Sequence, residues 1–176
     1  MYFFNIGTPL GKIRVWYDDQ GLQFLYFYEG EKGRKVPPFL SGGEYKIWPS
    51  LYQALKDYFY GGREIDFQGF PLNLDRYTPF TREVLTFAQK HIPYRRVTSY
   101  GSLAKALGRG KAARAAGRAL ASNPLPVIIP CHRIVKAEGL LGGYSQGRDI
   151  KRELLKIEKV KFNLVGRVNN EVFISW

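Results

Sequence analysis

Cysteine occurs once in the chain, at Cys131, so no internal disulfide can form and the sulfur is free for chemistry. Histidine occurs twice, at His91 and His132, 41 positions apart. One cysteine and two distant histidines make no credible metal site, and no cofactor signature accompanies them. No apolar run approaches the length that spans a bilayer, which argues against a membrane protein. No basic segment precedes an apolar one at Met1-Tyr2-Phe3-Phe4-Asn5, so no signal peptide is expected and the chain reads as cytoplasmic. The hydrophobic content of 45% argues against disorder.

The most informative absence is acidic. Between Val84 and Ala137 there is no Asp or Glu, while the same stretch carries ten Lys and Arg. The net charge of +12 belongs entirely to the second part: residues 1–76 hold nine basic and nine acidic residues, and residues 77–176 hold eighteen and six. A solvated face normally mixes signs. One that does not points to a polyanionic partner, most often nucleic acid. The shift in charge also suggests a division into a scaffold domain, 1–76, and a DNA-binding domain, 77–176.

Residues 1–28 read as three short strands, 2–6, 12–17 and 22–28, joined by turns at Thr8-Pro9-Leu10-Gly11 and Asp18-Asp19-Gln20-Gly21. They predict an antiparallel sheet. A loop is expected over 29–46, a helix over 49–60 that starts at Pro49 and ends at Gly61-Gly62, and a further strand near 64–67. Beyond the boundary, Thr78-Pro79 opens a helix to about His91, and Thr98-Ser99 caps another over 100–107. After Gly108-Arg109-Gly110 a third helix is expected over 111–121, stopped by Asn123-Pro124. Helix, short glycine turn and basic helix make the helix-turn-helix pattern. In the third helix Lys111, Arg114 and Arg118 fall on one face and seven other positions are Ala or Gly. That composition suits either tight packing or close approach to a narrow groove with little base readout. Asp149 is expected to cap a last helix to about Glu158, and residues 160–176 to form a hairpin turning at Asn169-Asn170.

The chemistry concentrates at Val127-Ile128-Ile129-Pro130-Cys131-His132-Arg133-Ile134-Val135. Pro130 disfavours regular strand pairing, so a turn can bring Cys131 and His132 to one pocket. A thiol becomes nucleophilic as a thiolate, and a nearby base or positive charge favours that form. Gly139-Leu140-Leu141-Gly142-Gly143-Tyr144-Ser145-Gln146-Gly147 follows, a glycine-rich loop without the Lys-Ser/Thr of a phosphate-binding loop.

The run Asn123-Pro124-Leu125-Pro126-Val127-Ile128-Ile129-Pro130-Cys131-His132-Arg133-Ile134-Val135 with Gly143-Tyr144-Ser145 resembles the O6-alkylguanine-DNA alkyltransferases, the methylated-DNA–protein-cysteine methyltransferases. The likeness extends from about Thr78 to Glu158 and includes Val97-Thr98-Ser99-Tyr100-Gly101-Ser102-Leu103-Ala104 and Lys111-Ala112-Ala113-Arg114-Ala115. Residues 1–76 match only in general layout. The resemblance implies a ribonuclease-H-like α/β domain followed by a mostly α domain with a winged helix-turn-helix. It implies a self-inactivating repair protein, with no cofactor, whose Cys131 takes the alkyl group from O6-alkylguanine in duplex DNA. Activity on O4-alkylthymine stays open. The family pattern places His132 and Glu158 in a His–water–Glu relay, Tyr100 as proton donor to the leaving guanine, Asn123 as brace of the cysteine turn, and Lys151 near the site. The backbones of Cys131 and Ile134, with Tyr144 and Ser145, would line the guanine pocket. Arg114 would fill the gap left by the flipped nucleotide, while Ser99, Tyr100, Lys111, Ala113, Ala115 and Arg118 would contact the minor groove. Such a protein is expected to be a monomer when free and nucleoid-associated.

Two departures from the family pattern stand out. Arg95-Arg96 replaces a Gly and an acidic residue found in many relatives, a candidate extra phosphate contact, and the zinc ligands that some relatives carry near the N-terminus are missing. Two other readings remain. One is a non-enzymatic helix-turn-helix binder, although such relatives replace the cysteine that is present here. The other is a cysteine hydrolase, for which His91 would be the only distant histidine.

Overall fold

The computed structural model describes residues 1–28 and 42–176. It divides into two compact units, Met1–Leu74 and Asp75–Trp176. Among the described residues no helix is long and apolar enough to cross a membrane.

In the first unit β1 (Tyr2–Thr8), β2 (Gly11–Asp18) and β3 (Gly21–Tyr28) form an antiparallel meander. The turns follow local chemistry. The Thr8 hydroxyl donates to Gly11 O at 2.6 Å, and Asp18 Oδ1 accepts from the Gln20 and Gly21 amides. Gly21 is required where it stands, since a Cβ there would meet Pro71 O at 2.4 Å. The sheet is mixed and not antiparallel as expected, because a short β4 (Glu44–Tyr45) pairs parallel with β1. Two residues are too few to show the alternation that marks a strand. The rest of the loop expected over 29–46 is only partly comparable, as residues 29–41 lie outside the described residues. Phe4, Ile6, Ile13, Val15, Leu25 and Phe27 share one face by register and are buried. Against that face lies α1 (Pro49–Gly61) with Leu51, Leu55, Tyr58 and Phe59, and Gly62 at φ 54° ends it. The strand expected near 64–67 is not formed. Asp66 instead caps a single helical turn, Phe67–Gly69, by accepting from the Gln68 amide.

The second unit holds α2 (Pro79–His91), β5 (Thr98–Ser99), α3 (Tyr100–Ala106), α4 (Ala113–Ala121), β6 (Ile134–Val135) and α5 (Arg148–Ile157). Thr78 and Ser99 cap α2 and α3 by accepting from the Thr81 and Ser102 amides. The third helix begins at Ala113 and not at Lys111, which lies in the preceding turn, so only Arg114 and Arg118 share its exposed face. Its Ala116, Ala119 and Leu120 pack toward α2 and α3. β5 pairs parallel with β6, which sets the start of α3 beside the strand that follows Cys131.

α5 is capped by Gly147, and Asp149 falls in its first turn, where a negative charge complements the helix dipole. At its far end Lys159 takes φ 61° and the Val160 amide donates to Leu155 O at 2.9 Å, a Schellman closure with Lys in the place usually held by Gly. This closure fixes Glu158 at the helix end. The terminal hairpin turns at Asn163–Arg167 and not at Asn169-Asn170, where a helical turn, Asn170–Val172, stands instead. Asn163 Oδ1 accepts from the Val165 and Arg167 amides, which settles the earlier turn.

Of the two arginines singled out as candidate phosphate contacts, Arg96 donates to Glu171 O at 2.9 Å, while Arg95 is exposed at φ 64°. A left-handed L-residue is strained by about 1–2 kcal/mol, part of which the flexibility of glycine in the unfolded chain would cancel. Arg95→Gly is therefore expected to raise stability by roughly 0.5–1 kcal/mol, or about 1–4 °C in thermal midpoint. A scanning-calorimetry midpoint equal to or below that of the parent would refute the expectation.

Candidate active site

Cys131 opens a single helical turn, Cys131–Arg133, behind Pro130. The residue is 5% exposed. The approach is set by Asn123, which is fully buried. Asn123 Oδ1 accepts from the Leu125 amide at 2.9 Å, and Nδ2 donates to Ile129 O at 2.9 Å and to Cys131 Sγ at 2.9 Å. One amide thus staples residues 123–131 into a compact loop. The grip is strong enough to hold Val127 at φ 78°, a conformation that β-branched side chains rarely adopt.

Behind the sulfur, His132 and Glu158 are both completely buried. His132 Nε2 lies 2.7 Å from Glu158 Oε1, so the imidazole and carboxylate meet directly, without the water expected between them. Arg133 forks onto the same carboxylate, Nε to Oε2 and Nη2 to Oε1, both at 2.9 Å, and its Nη1 donates to Ile92 O at 2.7 Å. Burial alone would raise the Glu158 carboxyl. The His132 ring and the Arg133 guanidinium overcome it and hold the carboxyl at about 2. Burial pushes the His132 imidazole down, against the pull of Glu158, so the ring is neutral at pH 7.

Lys151 is fully buried on α5. Its ammonium donates to Ile134 O at 2.6 Å and to Gly143 O at 3.4 Å, joining the cysteine strand to the glycine-rich loop. It lies 6.0 and 5.9 Å from the ring centroids of Tyr100 and Tyr144. Burial lowers it to about 8, while Cys131 pulls the other way. Burial likewise pushes the Cys131 thiol up, and Asn123, Lys151 and Tyr144 offset part of this. At rest the sulfur is a protected thiol, with a neutral base at the adjacent position.

A pocket of about 340 Å³ opens onto the sulfur, lined by Tyr100, Gly117, Leu120, Ala121, Cys131, Gly143, Tyr144 and Ser145. This is the size of a site for one small, flat molecule. Of the residues expected to line it, Tyr144 and Ser145 do. Ile134, expected to contribute through its backbone, is buried, and its carbonyl accepts from Lys151. Gly117, Leu120 and Ala121 line the pocket without having been assigned to it, beside Gly143 of the Gly143-Tyr144-Ser145 motif. A Cβ on Gly117 would lie 3.6 Å from the Tyr100 ring, in van der Waals contact with it. The signal was present in the small residues of the third helix, but nothing in sequence said which face looked onto Cys131.

Arg114 is exposed on α4 one turn before Gly117, with Arg118 on the next turn and Lys111 in the preceding loop. Ala113 and Ala115 are half-buried, and Ser99 is committed to capping α3. Elsewhere in the basic stretch, Arg109 pairs with Glu83 at 3.0 Å and His91 stacks on Phe87 with centroids 4.3 Å apart. Among the described residues no cluster of His, Cys, Asp and Glu could hold a metal ion.

Residues 79–160 match the family description "6-O-methylguanine DNA methyltransferase, DNA binding domain". The methylated-DNA–protein-cysteine methyltransferase of Methanosarcina acetivorans is 37% identical over 159 residues, covering 90% of this chain and 98% of that one. The Rattus norvegicus protein of the same name is 33% identical over 169 residues, covering 88% and 80%. Among solved structures, Mycobacterium tuberculosis OGT in complex with DNA superposes with a TM-score of 0.77 at 31% identity, covering 90% of this chain and 93% of that one. With these identities over nearly its whole length, the chain belongs to the methylated-DNA–protein-cysteine methyltransferase family.

Proposed function

We propose that this protein repairs DNA by direct reversal, moving the alkyl group of O6-alkylguanine in a duplex onto Cys131 in one irreversible turnover. The observation that carries the reading is a lone sulfur at the wall of a pocket of about 340 Å³, with the adjacent His132 imidazole held against the Glu158 carboxylate and the hydroxyl-bearing side chains of Tyr100 and Tyr144 around the pocket.

The thiol proton passes toward His132. Nε2 is engaged by Glu158, so in this reading Nδ1 takes the proton, and a water bridging it to the sulfur would keep the relay character of the family. Glu158 stabilises the imidazolium as it forms. The sulfur attacks the alkyl carbon in line with the C–O6 bond. A C–S bond forms, and the C–O6 electrons leave with guanine. Tyr100 is kept protonated by burial and gives the departing base its proton, and the proton taken from the thiol restores the balance. The product is a thioether and guanine. Asn123 braces the nucleophile, and Lys151 ties the guanine-facing loop to the cysteine strand.

In this reading residues 77–176 act as a winged helix-turn-helix that lays α4 in the minor groove. Arg114 replaces the flipped nucleotide, Arg118 and Lys111 hold phosphates, and Ala113, Ala115, Ser99 and Tyr100 make close contacts. Residues 1–76 serve as a ribonuclease-H-like scaffold. The protein works as a monomer on nucleoid DNA in the cytoplasm.

Intact-mass measurement after mixing with duplex DNA containing O6-methylguanine tests the function. One added methyl group on Cys131, and none in Cys131→Ala, is the expected result. An unmodified protein that still binds the duplex would instead establish the non-enzymatic binder.

A further inference from the structure

We propose that the Tyr144 hydroxyl donates a hydrogen bond to the Cys131 sulfur once that sulfur is a thiolate, completing with Asn123 and Lys151 a set of donors built for the anion. This deepens the alkyl-transfer reading and gives Tyr144 a part beyond shaping the pocket.

Three observations converge on it. The Tyr144 hydroxyl is buried in the pocket that Cys131 lines; it completes no well-aligned hydrogen bond among the described residues, yet it lies near enough to the sulfur to favour the charged form of Cys131. A buried phenol normally finds an acceptor. A neutral thiol is a poor acceptor and a thiolate a good one, so an idle donor beside a resting thiol is accounted for when the charged form appears. Second, Asn123 Nδ2 already lies 2.9 Å from Sγ, so one donor of the set is in place. Third, Lys151 donates to Gly143 O, the carbonyl immediately before Tyr144, and to Ile134 O beyond the cysteine turn. The buried ammonium therefore fixes the loop that carries Tyr144 and also adds positive charge near the sulfur. Burial holds the Tyr144 hydroxyl well above its usual range, with Cys131 adding to the effect, so Tyr144 is a protonated donor at neutral pH.

The other groups around Cys131 have different commitments. His132, Glu158 and Arg133 form a closed ion pair cluster behind it. Tyr100 stands at the start of α3, and Arg148 acts only through Lys151. Of the two phenols on the pocket side, Tyr100 is assigned to the departing base and Tyr144 is left to the sulfur.

Because Cys131 is the only cysteine, carbon-13 labelling at cysteine Cβ gives one NMR resonance whose shift follows thiol ionisation. The probe contains no guanine, so it reads the sulfur whether or not methyl transfer occurs. The methyl-transfer mass assay on the parent protein tests that reading separately. In Tyr144→Phe the titration midpoint is expected to rise by about one pH unit, a tenfold loss of thiolate below the midpoint. Methyl transfer should then slow about tenfold at neutral pH and recover toward the parent rate above both midpoints. An unchanged midpoint overturns the proposal, as does a rate loss equal at every pH, which is the mark of a packing role. Ortho-fluorotyrosine introduced at position 144 is a stronger donor of nearly the same size and should move the midpoint down. If Tyr144→Phe fails to fold, this variant decides, and a midpoint that does not fall overturns the proposal.

Discussion

Arg133→Ala is expected to destabilise the protein by about 3–5 kcal/mol, the usual consequence of removing one partner from a buried ion pair. Glu158 is fully buried, and Arg133 supplies both its bidentate contacts as well as a bond to Ile92 O. With the guanidinium gone, the carboxylate can be neutralised by taking a proton itself or by holding one on His132. The second course would leave imidazolium where a neutral base is needed, so alkyl transfer should fall together with stability. Arg133→Lys keeps a charge but loses the fork, and an intermediate loss is expected. The pH dependence has a definite sign. The folded-state pKa of Glu158, about 2, lies below its ordinary 4.5, so its contribution is present above pH 4.5 and is lost as pH falls toward 2. That span is worth about 3 kcal/mol as an upper figure. Urea unfolding at several pH values measures both effects. A loss under about 1 kcal/mol at pH 7, or an acid-side slope as steep as the parent's, would show that the pair contributes little.

Local chemistry made part of this site legible from sequence. Thr78 and Ser99 sit immediately before helix-forming runs, and a cap requires only the next three residues. Pro130 before Cys131 foretold a turn for the same reason. Glu158 is different: residues alone gave a carboxylate at a helix end, and only the family resemblance attached it to His132. The join depends on a Schellman closure in which Lys stands at the usual glycine position, and on packing that brings residues 26 positions apart to 2.7 Å. Lys151 was equally hidden. A lysine on an amphipathic helix reads as solvent-exposed, and its burial becomes tolerable only through two carbonyls supplied by other segments. Val127 runs against propensity altogether. Its left-handed backbone is imposed by Asn123, whose side chain bonds at both ends of the loop. Val127, Lys151 and the closure that carries Glu158 all run against short-range rules at the site around Cys131, as expected of strain kept at a working site.

Arg114→Ala is expected to slow repair of O6-methylguanine in duplex DNA by about 10–100-fold while changing the reaction with free O6-benzylguanine by less than about twofold. The contrast follows from position. Arg114 is exposed on α4 one turn before Gly117, and Gly117 lines the pocket that leads to Cys131. A cation there stands outside the pocket, beside the path of a base entering it, and touches neither the sulfur nor its supports. Extruding a nucleotide breaks stacking and pairing worth a few kcal/mol, and an inserted guanidinium can offset only part of that, which bounds the effect at roughly 1.4–2.8 kcal/mol. A free base needs no extrusion and should not register the loss. If Arg114 also holds a phosphate, the salt dependence of duplex binding should weaken by about one counterion. Single-turnover rates on the two substrates decide the matter. Equal losses on both would place Arg114 in the chemistry or in the folding of α4. No loss on the duplex would mean that this helix opens the stack by some other residue, of which Arg118, one turn further along the same exposed face, is the next to test.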